Sequence, residues 1–144
     1  MENKDTAMLL KECDAGVKMA TSSLNDLLDK VKDPKLYKLL TKSRDHHEKL
    51  GNEIHSLLDF HDETQKEPDP FIKSMSWIKT NVKMGLDNSD ATIANLITDG
   101  CNMGIKSLQK DLNEYAMADE ISKKIAQKLM TIEDQLRNDL SSYL

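Results

Sequence analysis

Residues 5–31 read DTAMLLKECDAGVKMATSSLNDLLDKV, and this stretch decides the fold class. Apolar or small residues recur at Leu9, Cys13, Gly16, Ala20, Leu24, Leu27 and Val31, always three or four apart. That spacing puts them on one face of an α-helix, and Val17 and Leu28 widen the face. A stripe of this length must be covered by other elements, and the rest of the chain supplies them in the same period.

Asp33-Pro34 marks the first break. Asp caps helix starts, and Pro suits the first helical position, where no backbone N–H is needed. A second helix is expected over 34–61, with Leu36, Leu40, Ser43, His47, Leu50, Ile54 and Leu58 on its inner face. The polar, acidic stretch 62–70 carries two prolines and reads as a solvated linker. Asp69-Pro70 repeats the cap signal, and Phe71, Met75, Ile78, Val82 and Leu86 predict a shorter helix over 70–85, flanked by Trp77 and ended by Gly85. A third long helix is expected over 89–116 (Ile93, Ile97, Cys101, Gly104, Leu108, Leu112, Tyr115). A fourth follows over 118–142 (Ile121, Ile125, Leu129, Ile132, Leu136, Leu140).

The whole chain, 1–144, therefore reads as one all-α domain, a four-helix bundle with an extra short helix in its long crossover. Five glycines and three prolines in 144 residues are too few for the frequent turns of an all-β sandwich or barrel. A domain of this size buries roughly 68% of its unfolded surface, enough for a core without disulfides. Aromatic content of 4% leaves that core to Leu, Ile, Val, Met and Ala. The eight methionines are expected to fill gaps in it.

Two tight connections and one long one predict antiparallel pairs, helix one with two and helix three with four, and a parallel second and third helix. The halves also echo each other. Cys13-x-x-Gly16-Val17-Lys18 matches Cys101-x-x-Gly104-Ile105-Lys106 at a shift of 88 residues. Both glycines fall inside helices, where each costs roughly 1 kcal/mol relative to Ala. Close approach of neighbouring backbone is the expected compensation.

The layout, the Trp77-containing crossover, the Gly-Cys-Asn-Met-Gly-Ile run at 100–105 and the Asp119-Glu120-Ile121 start of helix four resemble uncharacterised bacterial ferritin-like proteins. The resemblance implies an up-down-down-up bundle, distantly similar to rubrerythrins and bacterioferritins, and a fold more than an activity. A di-iron centre in such a bundle takes a Glu from each of two helices and Glu-x-x-His from each of the other two. Here His46, His47, His55 and His61 all lie on helix two, preceded at three residues by Ser43, Arg44, Asn52 and Leu58, and helix four has no His. The di-iron motif is absent.

Cys13, His47 and Cys101 fall on inward faces and are the candidate metal ligands, a soft site if they met. The competing expectation is that the cysteines pack as small hydrophobes and His47 is a satisfied core residue bonded to Ser43. No catalytic or cofactor-binding residue is expected: phosphate-binding glycine loops, nucleophile elbows and calcium-loop spacing are all missing.

A net charge of -5 without a basic cluster argues against nucleic acid. No apolar run is long enough for a membrane span, and the N-terminus lacks a signal-peptide layout, so a cytoplasmic protein with free thiols is expected. The functional expectation is a non-catalytic bundle with a structural or protein-interaction role, as a homodimer with the crossover as one candidate surface. The alternative is a remodelled metal or redox protein of the ferritin–rubrerythrin type using Cys and His in the core.

Overall fold

The computed structural model describes residues 4–61, 63 and 89–144. Among the described residues four α-helices pack together and no strand occurs. They are α1 (Lys4–Leu28), α2 (Pro34–Phe60), α3 (Asp90–Glu114) and α4 (Glu120–Leu140), followed by a 3₁₀ turn, Ser141–Tyr143. The helix expected over 70–85, with Trp77 and Gly85, lies outside the described residues.

Each helix start carries its own chemical reason. The Asp33 carboxylate accepts from the Lys35 N–H at 2.8 Å, with Pro34 opening α2. Ser89 accepts from the Thr92 N–H at 3.2 Å. Asp119 accepts from the Ser122 N–H at 2.8 Å, so α4 begins at Glu120 rather than at 118. The expected end of the first helix at Val31 is also corrected. α1 stops at Leu28, and the Lys30 and Val31 N–H groups close turns on the Leu27 and Leu28 carbonyls.

Side chains at the helix ends set the arrangement. At one end Asp5 and Thr6, in the first turn of α1, accept from the Met117 and Asp119 N–H groups at 3.0 and 2.8 Å, so α1 and α4 start side by side. At the opposite end the Asp90 carboxylate accepts from the Lys32 and Asp33 N–H groups, both at 2.9 Å, so α2 and α3 start together. These bonds satisfy backbone donors that a loop would otherwise leave to water. α2 packs chiefly on α1, and α4 chiefly on α3.

The core is aliphatic and falls into two clusters. One gathers Leu9, Leu10, Cys13 and Val17 of α1 with Leu50, Ile54 and Leu58, Leu108, and Ile125, Ala126 and Leu129. The other gathers Leu24, Leu27 and Leu28 with Leu36 and Leu40, Ile93, Ala94, Ile97 and Cys101, and Leu136 and Leu140. A fully buried Leu or Ile contributes roughly 2 kcal/mol by leaving water, so these clusters hold the helices together. The expected inner face of α4 needs one change: Ile121 is exposed and Ile132 only partly buried, while Glu133 is buried. No helix among the described residues is long and apolar enough to cross a membrane.

Candidate functional site

The gap between the two clusters falls at one level of the bundle. Along α1 it lies between Val17 and Leu24, along α2 between Leu40 and Leu50, along α3 between Cys101 and Leu108, and along α4 between Leu129 and Leu136. The buried residues within those intervals are Ala20, Ser23, Ser43, His47 and Glu133, with Gly104 beside Glu133. The middle of the bundle is thus a polar waist between two greasy ends.

His47 is completely buried on α2. Its Nδ1 donates to the Ser43 carbonyl, one helical turn back, at 2.8 Å, which leaves Nε2 as the acceptor of a neutral ring. Burial disfavours the imidazolium and lowers its pKa, against a smaller opposing effect from the Ser43 carbonyl. The expected bond to Ser43 is present, with the backbone carbonyl as the partner, but the ring is not fully satisfied, because Nε2 meets no partner among the described residues.

Glu133 is 3% exposed. Desolvation raises its carboxyl to about 8, so it holds its proton at neutral pH. Its Oε2, the Nε2 of His47 and the hydroxyls of Ser23 and Ser43 meet no hydrogen-bond partner among the described residues. Buried polar atoms are nearly always paired, and four of the six unpaired ones among the described residues fall at this level, the others being Arg44 Nε and Thr98 Oγ1.

Gly104 explains how a Glu fits there. A Cβ at this position would lie 2.7 Å from Oε1 and 2.8 Å from Cδ of Glu133, well inside van der Waals contact. The glycine therefore makes room for a carboxyl group and not for neighbouring backbone, which corrects that expectation. At Gly16, its counterpart in the repeat, the nearest atom is Leu129 Cδ2 at 3.7 Å, an ordinary contact. The two Cys-x-x-Gly segments match in sequence but sit in different surroundings.

The candidate ligands are spread along the bundle. Cys13 belongs to one aliphatic cluster and Cys101 to the other, with His47 at the waist between them. Gly16 against Leu129 and Gly104 against Glu133 set the register across the helices. In that register the two thiols are about ten residues apart along the axis, or roughly 15 Å. Both are free and fully buried. Desolvation first, then nearby carboxylates including Glu133, push both thiols up to about 12, so neither is a reactive thiolate at neutral pH. Among the described residues no three His, Cys, Asp or Glu side chains are grouped to hold a metal ion.

A second buried carboxylate, Asp14, joins α1 to α2. Its Oδ1 accepts from His55 Nε2 at 2.7 Å, and its Oδ2 lies 3.1 Å from Lys18 Nζ. His55 is thereby engaged in an interhelical contact. Neither Glu133 nor Asp14 stands out by residue type. Phase was the available signal for Glu133: it lies four residues after Leu129 and three before Leu136, on the stripe itself, whereas Ile132 lies beside it.

Comparison of the chain with protein-family models, with curated proteins and with solved structures finds no match.

Proposed function

We propose that the chain is a ferritin-like, up-down-down-up bundle without a di-iron ligand set, serving as a non-catalytic structural or protein-interaction protein, as a homodimer in the cytoplasm. The end contacts support the topology. α1 and α4 start at one end and α2 and α3 at the other, the relation that an up-down-down-up bundle has between its helix pairs.

The polar waist carries the functional reading. At this level α4 presents one protonated carboxyl, Glu133, followed three residues later by Leu136 rather than His. Among the described residues it has no group of His, Cys, Asp or Glu around it of the size that holds a metal ion. Elemental analysis of protein purified without added metal tests the reading, with iron and manganese expected far below one ion per chain. Near-stoichiometric iron or manganese overturns it. Sedimentation equilibrium checks the dimer, and a monomer at every concentration removes that part.

A second reading, a remodelled metal or redox protein using Cys13, His47 and Cys101, draws on the unpartnered Nε2 of His47 and Oε2 of Glu133. The separation of the thiols along the bundle counts against it.

A further inference from the structure

A groove runs between α2 and α4. It consists of three adjoining depressions of about 490, 610 and 460 Å³ that share lining residues, among them Lys49, Lys124 and Lys128 between the first two and His46 and Ile132 between the first and third. The groove extends from Leu39 to Leu57 along α2, about 27 Å at 1.5 Å per residue. That is the length of a helix of about 18 residues. Its floor includes Leu50, Leu57, Ile125 and Ile132, and exposed Ile121 closes one end.

The rim has the opposite sign to the whole chain. The chain carries a net charge of -5, yet among the described residues Lys42, Lys49, Lys124 and Lys128 line the groove against two acids, Glu53 and Asp139. Lys128 and Glu53 pair with each other at 3.5 Å. Lys42, Lys49 and Lys124 have no ion-pair partner among the described residues. A strip of unneutralised lysines over an apolar floor favours an occupant that is apolar on one face and acidic at its edges.

A second copy of this chain fits poorly. A two-fold dimer sets the same patch against itself. Groove on groove, the central Lys49, Lys124 and Lys128 would lie against a second set of lysines, and such juxtaposition opposes association.

We propose that the α2–α4 groove is a docking site for an acidic amphipathic helix of another protein. The helix lies along the groove with apolar residues at i, i+3, i+4 and i+7 on the floor and Glu or Asp beside Lys49 and Lys124. This deepens the protein-interaction reading above and rests on it. The two fail separately, because metal in the purified protein overturns that reading and leaves peptide binding intact.

The test uses the full chain, ¹⁵N-labelled, and three synthetic peptides of about 18 residues, the length the groove accepts. One carries a Leu stripe at helical spacing with Glu elsewhere. The second has the same composition in an order that breaks the stripe. The third keeps the stripe and replaces Glu with Lys. The first peptide is expected to bind with amide shifts confined to α2 and α4, more weakly as salt rises. The Lys49→Glu/Lys124→Glu variant, checked for an unchanged thermal melt, is expected to bind it at least tenfold more weakly. If that variant does not fold, the groove-confined shifts and the preference for the first peptide over the other two decide by themselves. Equal binding of all three peptides, shifts elsewhere on the bundle, or no binding overturns the proposal. So does self-association of the chain that protects the groove amides.

Discussion

Glu133 makes the stability of this bundle fall as pH rises through neutrality. The carboxyl is raised from an ordinary 4.5 to about 8 in the fold. Between those values the unfolded chain has lost the proton and the folded chain keeps it, so each pH unit removes about 1.4 kcal/mol of stability. The whole interval amounts to roughly 5 kcal/mol, present below pH 4.5 and gone above about 8.

Three other shifted groups, His47 and the two thiols, bound the usable window. His47 is lowered from 6.5, so below that pH the unfolded ring takes a proton that the folded ring refuses, and stability drops on acidification. This offsets the Glu133 trend on the acid side. The thiols ordinarily titrate at 9 and are raised to about 12, so their effect begins in alkali. From pH 6.5 to 8 the Glu133 effect stands clear, at about 2 kcal/mol. With a urea slope near 2 kcal/mol/M for a domain of this size, the midpoint should move down by about 1 M. Urea titrations at constant ionic strength provide the assay. Glu133→Gln keeps the shape and removes the titration, so its midpoint should stay level across the same window. Equal wild-type midpoints at pH 6.5 and 8, or an equally steep fall in Glu133→Gln, would refute the buried protonated carboxyl.

Four further outcomes follow from the same geometry. Gly16→Ala meets only ordinary contact and should stabilise the chain by about 0.5–1 kcal/mol, whereas Gly104→Ala must displace the Glu133 carboxyl. A double-mutant cycle of Gly104→Ala with Glu133→Ala should therefore show coupling of at least about 1 kcal/mol, and additivity would contradict the packing described. Asp90→Ala removes the acceptor of two backbone N–H groups that tie the α1–α2 connection to α3. It should cost about 2 kcal/mol in chemical denaturation. Ellman's reagent at pH 8 should leave Cys13 and Cys101 unmodified in the native protein and label both in urea, because both are buried and raised to about 12. Fast labelling of either without denaturant would place that thiol at the surface.

Much of the bundle is legible in the sequence because local rules set it. Asp33-Pro34, Ser89 and Asp119 start helices through bonds to N–H groups two or three residues ahead. The three-four spacing of the leucines names most of the buried face. The site is less legible. Reading α4 by apolar type alone selects Ile132, while its register against α3 buries Glu133 and leaves Ile132 at the edge. The likeness of Cys13-x-x-Gly16 to Cys101-x-x-Gly104 suggests equivalent surroundings, yet one glycine faces a leucine and the other a carboxyl.

By itself, the sequence determined four amphipathic helices, their caps and an aliphatic core, since periodicity and capping act within a turn or two of chain. Only the tertiary structure decided which polar groups share a level. How far α1 slides against α2, and α3 against α4, depends on packing between residues distant in sequence. That sliding puts His47, Ser43 and Glu133 between the two clusters, sends Cys13 and Cys101 to opposite sides of the waist, and opens a lysine-rimmed groove along α2 and α4. No stretch of a single helix encodes those relations, because each is a distance across the bundle.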